Sequence, residues 1–277
     1  MKETGSATAI GAAMLKAAHQ LVDGDDKLLK DPVILKLLGP ETEEYIRDFN
    51  YHFFSGASMA LRTHILLRSR YTEDCLAGAY QNGVKQLLFL GAGLETFAYR
   101  QPDWAYNINI IEADHPASQA DKLERLNAAG ISLPENLSFV TADFEADNLL
   151  NVFRESKLNL DEPVFTACLG VLIYLTRETA DKIFRFLGGL PAGSEFVFTA
   201  SQNRDNAWAT TAAERSAATG EPWITYFEPE ELIKQLKDLG FSKASFLTTE
   251  ETEKLYFEGT KIHLPLPARM SIIRAVI

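Results

Sequence analysis

Residues 86–100 read QLLFLGAGLETFAYR. An uncharged, mostly apolar run enters Gly91-Ala92-Gly93, which predicts a buried strand followed by a tight turn. The same layout repeats downstream. NINIIEAD (107–114) predicts a second strand ending in acids, and LSFVTAD (137–143) a third. PVFTACLGVLIYL (163–175) begins as a fourth strand and SEFVFTAS (194–201) reads as a fifth. FSKASFL (241–247) and ARMSIIRAVI (268–277) close the chain as two more. Residues 116–128, 145–156, 177–187 and 229–239 carry helical spacing between them. Thr176 is the expected N-cap of the third of these; Pro229 opens the fourth and Gly240 stops it. Strands alternating with helices predict an α/β fold: a doubly wound, mostly parallel, seven-stranded Rossmann-like sheet covered on both faces.

Upstream of residue 84 the text is helical. Residues 6–22 repeat small and apolar side chains, Asp31-Pro32 breaks the chain, and 54–82 hold a long periodic stretch. The expected organisation is an N-terminal helical cover over 1–83 and an α/β core over 84–277, with a lid-like insertion at 202–226. Trp208, Trp223 and Tyr226 in that insertion suit an apolar or aromatic partner molecule.

The 277 residues are 46% hydrophobic and 23% charged, enough for a sizeable core without staples. A net charge of −11 disfavours nucleic-acid backbones and anionic membranes as partners. Cys75 and Cys168 stand far apart in no metal or disulfide spacing, and the five histidines show none either. Nothing reads as a signal peptide or membrane span, so a soluble cytoplasmic protein without a metal is expected.

In open α/β sheets ligands bind beyond the carboxyl ends of the strands. Gly91 and Gly93 let the backbone approach a ligand there. Glu112 and Asp114 fall near the spacing at which an acid accepts both ribose hydroxyls. Asp143-Phe144 suits an adenine, with an amino partner beside an apolar cover. The pattern asks for an adenosine-containing cofactor. A dinucleotide fingerprint wants a third glycine where GAGLET places Thr96, which disfavours pyrophosphate. S-adenosylmethionine carries no phosphate and tolerates the change; its carboxylate needs a cation such as Arg62.

Several segments together resemble the leucine carboxyl methyltransferase-like family of S-adenosylmethionine-dependent O-methyltransferases, in particular its bacterial branch. They are SATAIGAAMLKAAH (6–19), LKDPVILKLLG (29–39), ALRTHILLR (60–68), FLGAGLETFAYR (89–100), IIEADHP (110–116), TADFE (141–145) and LGVLIYLT (169–176). The resemblance implies the class I methyltransferase sheet under a helical cover. It implies that Arg62 binds the cofactor carboxylate, Gly91 faces its methionine portion, and Asp114, helped by Glu112, holds the ribose. Asp143 and Phe144 would meet the adenine, and Tyr174 would lie on the substrate side. Two positions depart from the family pattern: Leu169, in the cofactor-contacting segment, stands where an acid is usual, and Phe89 where a polar residue is usual.

The reaction expected is methyl transfer to a carboxylate of a small-molecule metabolite, favoured over a hydroxyl because a carboxylate needs no base. Two alternatives stand beside it. One is an NAD(P)-dependent oxidoreductase on the same fold; the other is a non-catalytic methyltransferase-like protein.

Overall fold

The computed structural model describes residues 5–202, 213–214, 216–267 and 270–277. Four helices come first: α1 (Ala7–Val22), α2 (Pro32–Leu38), α3 (Pro40–Asp48) and α4 (Gly56–Gln81). Local chemistry sets their starts. The Ser6 hydroxyl accepts from Ala9 N–H, and the Asp31 carboxylate accepts from Ile34 N–H with Pro32 at the first helical position. Ser55 caps α4, whose start follows a 3-10 turn at Asn50–Phe54.

Seven strands follow. They are β1 (Gln86–Leu90), β2 (Asn109–Asp114), β3 (Leu137–Thr141), β4 (Phe165–Cys168), β5 (Glu195–Thr199), β6 (Lys243–Phe246) and β7 (Ile272–Val276). They form one sheet in the order β3-β2-β1-β4-β5-β7-β6, parallel except for β7. The chain runs outward from β1 to β3 and then returns to place β4 beside β1. That reversal opens a crevice between the ends of β1 and β4. Ala268 and Arg269, which open the expected last strand, lie outside the described residues.

Period-2 alternation feeds two cores. Leu88, Leu90, Phe196 and Phe198 point into one, with helices α6 (Leu149–Arg154), α7 (Arg177–Gly188) and α8 (Pro229–Asp238). Leu87, Phe89, Phe165 and Val197 point into the other, where Leu66, Leu67 and Leu76 of α4 meet them. β1, β4 and β5 are buried along their whole length, as strands covered on both faces must be. Helix α5 (Pro116–Ala128) lies beside β2.

The strands are shorter than expected at several ends, and two further boundary differences have a clear local cause. The helix expected over 145–156 is only Leu149–Arg154. Side chains capture the preceding backbone instead: Asp143 accepts from Glu145 N–H, Asp147 accepts from Asp143 N–H, and Asn148 caps the shortened helix. The second strand starts at Asn109 because Asp103–Asn107 winds into a 3-10 turn. Among the described residues no helix is long and apolar enough to cross a membrane, and no three His, Cys, Asp or Glu side chains cluster as metal ligands would.

Candidate functional site

A cavity of about 1810 Å³ opens over the carboxyl ends of β1, β2, β4 and β5, roofed by α1 and α4. A single ligand site typically measures about 300–1,000 Å³, so there is room for two molecules side by side.

The floor begins at Gly91, whose φ of +71° is a left-handed conformation. A Cβ there would collide with the Val171 side chain, so the strand end can carry nothing larger than glycine. Gly93 turns next and donates its N–H to Oδ2 of Asp114 at 2.5 Å. Oδ1 of Asp114 accepts from His115 N–H at 2.7 Å. Burial raises the Asp114 pKa, against the pull of those two backbone bonds. The carboxylate is thus fixed at the end of β2, facing the cavity with lone pairs left for two hydroxyls. Asp143, Phe144, Leu169 and Tyr174 also lie on the wall. The Tyr174 hydroxyl accepts from Nε1 of Trp223 at 3.3 Å, which links the floor to the segment after β5. Much of the expected lid, Trp208 included, lies outside the described residues.

Two expected site residues lie elsewhere. Arg62 is fully buried and turned from the cavity. Its Nε and Nη2 grip the two carboxylate oxygens of Asp23 at 2.7 Å each, and Nη1 donates to the Phe53 carbonyl at 2.7 Å. Asp23 also meets Nδ1 of His19 at 2.7 Å, so Arg62 pins α4 to the end of α1. Glu112 is the second correction. It shares a strand face with Asp114 but sits two residues deeper, roughly 7 Å below the strand end. There it pairs with Nζ of Lys122 at 2.5 Å, its other oxygen has no hydrogen-bond partner among the described residues, and burial raises its pKa.

Four charged or polar wall residues escaped the motif reading. Lys16 of α1 and Glu95 of the glycine loop form an ion pair of 2.9 Å on the wall. Burial pushes the Glu95 pKa up, but Lys16, Arg100 and the Thr96 N–H outweigh it and hold the carboxyl at about 2. His64 and Arg68 look in from α4. The signal for them was helical spacing: Ala57, Leu61, His64, Ile65 and Arg68 follow one stripe of α4, and Arg62 is off it.

The residues fit a nucleoside carrying an amino-acid end. The Gly91 cradle leaves room for close approach, Asp114 keeps lone pairs that a diol would use, and the Lys16–Glu95 pair offers one charge of each sign to a zwitterion.

Comparison with known proteins agrees. The model of the family described as leucine carboxyl methyltransferase matches residues 9–188. A Bacillus subtilis protein named "Putative S-adenosyl-L-methionine-dependent methyltransferase YktD" is 29% identical over 99% of both chains. A Mycobacterium avium protein with the same general name is 27% identical over 79% of this chain and 73% of its own. Among solved structures, a "putative methyltransferase" from Thermobifida fusca YX superposes with a TM-score of 0.57 at 18% identity, covering 99% of this chain and 96% of that one. A DUF574 family protein from Streptomyces avermitilis gives 0.54 at 16% identity, covering 96% and 95%. These likenesses are of fold. The chain belongs to the leucine carboxyl methyltransferase family and is an S-adenosylmethionine-dependent methyltransferase on the class I fold.

Proposed function

We propose that the protein methylates a carboxylate of a small-molecule metabolite, giving a methyl ester. The observation that carries this reading is the state of the bases set into the cavity wall, His52 apart, which lines the cavity but is exposed. A hydroxyl acceptor must lose a proton to a base near neutral pH, whereas a carboxylate is already ionised. Burial, then the charge of Arg68, depress the His64 pKa to about 3, which makes it too weak to take that proton. Nδ1 of His115 accepts from Ala117 N–H at the start of α5. Glu95 is held at about 2 by its ion pair. Glu145 accepts from Thr176 N–H and from the Thr176 and Thr179 hydroxyls. Both oxygens of Asp114 hold backbone N–H groups. Asp114 is assigned to the ribose, His64 is too weak a base, and the remaining groups are committed to the chain's own bonding.

Bound S-adenosylmethionine supplies a methyl group on a sulfonium, already activated for in-line displacement. The chain's part is then to hold, align and exclude water, and such orientation lowers the barrier by several kcal/mol. Gly91 and Asp114 position the nucleoside end, Lys16 and Glu95 the amino-acid end, and α1 and α4 roof the crevice. Tyr174, Trp223 and Tyr226 line the space beyond and suit an apolar or aromatic acceptor. Free, buried Cys75 and Cys168 support a reducing cytoplasm. Secondary metabolism is the setting the family resemblance implies.

The test is methyl transfer from labelled S-adenosylmethionine to a panel of aromatic and aliphatic acids and their matched alcohols and phenols. Products from the acids that release labelled methanol in mild base support the ester reading. Base-stable ethers from the hydroxyl compounds alone would overturn it.

A further inference from the structure

On one side the cavity opens to solvent between α1 and the start of α4. Ala7 and Gly11 of α1 line it there, with Gly56, Ala57 and Ala60 of α4, and all of them are exposed. Ala7 with Gly11, and Gly56 with Ala60, are one helical turn apart, so each pair forms a stripe of its helix. These side chains are small, and a Cβ added at Gly11 or Gly56 would meet nothing within 4 Å. Gly11 has no left-handed φ, and glycine inside a helix is less favourable than alanine, so what it provides is room. The space behind this opening is large. A cofactor at the top of the usual range of about 300–1,000 Å³ still leaves about 800 Å³ of the 1810 Å³ cavity.

Outside, the opening meets a strip of aromatic side chains. Tyr51 and His52 line the cavity mouth with their ring centroids 4.1 Å apart. Phe49 lies 6.4 Å from the first and 6.2 Å from the second, and Tyr45 lies 5.1 Å beyond Phe49. Tyr51 is 62% exposed, Tyr45 45% and Phe49 42%, whereas Phe53, in the same 3-10 turn as Tyr51, is packed into the core of the cover. A contiguous apolar strip left in water marks a surface that something covers. Helix α3, which carries Tyr45, also carries Glu41, Glu43, Glu44 and Asp48 against Arg47 alone, so an anionic lipid surface is repelled. The strip runs into the cavity through Tyr51 and His52. A single molecule can therefore cover both, with its reacting end inside and a long apolar body outside.

We infer that the acceptor is a long-chain carboxylic acid, whose carboxylate lies inside beside the cofactor and whose apolar chain leaves between α1 and α4 to lie along Tyr51, Phe49 and Tyr45. The inference rests on the carboxyl-methylation reading above and adds the class of acid. In the transfer one carboxylate oxygen bonds to the methyl carbon as the carbon–sulfur bond breaks, the electron pair going to sulfur and no proton moving. Each methylene that leaves water along the passage adds to affinity, so the protein reads chain length.

The test uses the full chain, with hexanoate, decanoate and tetradecanoate below their micelle concentrations and the matched alkanols as methyl acceptors. In the wild type kcat/KM should rise by about 10-fold or more from hexanoate to tetradecanoate, the worth of roughly two buried methylenes, and the rise should lie in KM. Gly11→Gln sets a polar amide in the passage and Tyr51→Ser removes the ring at its mouth. Each should cut the rise to about threefold or less, with hexanoate as the reference within each protein. Calorimetric S-adenosylhomocysteine affinity should stay within about twofold of wild type, which shows the variants folded with the cofactor site intact. Three outcomes would overturn the inference and leave the ester reading standing. One is equal transfer to hexanoate and tetradecanoate, and another is transfer to aromatic acids with none to these three. The third is a rise retained in full by both variants, where a wild-type dimer in sedimentation that Tyr51→Ser loses would give the strip to a second copy. Alkanols methylated with every acid untouched would overturn both.

Discussion

Arg62 and Arg68 lie six residues apart on one helix and end in opposite surroundings. Six positions turn a side chain through about 240°, so one faces the helical cover and the other the strand ends. Arg62 is gripped by Asp23 and the Phe53 carbonyl. Arg68 has the backbone of Gly170 against it and no counter-ion among the described residues. The contrast separates two uses of charge. Where the chain supplies the partner, the charge holds the fold together; where it leaves the partner out, the charge waits for a ligand. Glu112 with Lys122 falls on the first side, and Asp114, with lone pairs turned to the cavity, on the second.

The largest expected effect lies on the structural side. Arg62→Met leaves Asp23 with only the His19 imidazole as a side-chain partner among the described residues and should cost about 3 kcal/mol in urea unfolding. S-adenosylhomocysteine affinity of the folded variant should change by less than about twofold, the size expected of a residue off the wall. A large affinity loss at unchanged stability would break the comparison. Gly91→Ala comes next, because a Cβ at a left-handed position against Val171 combines backbone strain with overpacking. It should cost about 2–4 kcal/mol and abolish measurable binding of S-adenosylhomocysteine.

Acid sharpens the comparison further. The Glu95 carboxyl sits at about 2 when folded, below its ordinary 4.5, so it adds stability above pH 4.5 that is lost as pH falls toward 2. Lys16→Met should flatten that part of the stability profile. Asp114 shifts the other way: its raised pKa means that cofactor affinity weakens on acidification at a higher pH than an ordinary aspartate would give. The smallest effect is expected from Glu112→Gln, which should leave S-adenosylhomocysteine affinity within about twofold although Glu112 stands two residues from Asp114.

The sheet was legible because its signals are local. Apolar runs bounded by glycine and acids gave seven strands, and helical spacing between them gave the parallel arrangement. The Thr176 cap is there, accepting from Thr179 N–H. Gly91, Gly93, Asp114, Asp143, Phe144, Leu169 and Tyr174 sit at strand ends, and those ends form the cavity floor. What escaped depends on partners distant in sequence. No local pattern shows that Asp23, 39 residues before Arg62, captures it. Strand periodicity puts Glu112 and Asp114 on one face but is silent on depth, and depth places Glu112 beside Lys122. The shortened helix after Asp143 reflects side chains competing with helical bonding for the same backbone groups.

The most direct test of the account is a calorimetric titration of S-adenosylmethionine into the wild type and Asp114→Ala. The account predicts 1:1 binding to the wild type and a loss of about 100-fold or more in the variant, the size of two charge-assisted hydrogen bonds. Equal affinity in the two proteins would contradict the placement of the nucleoside at the end of β2.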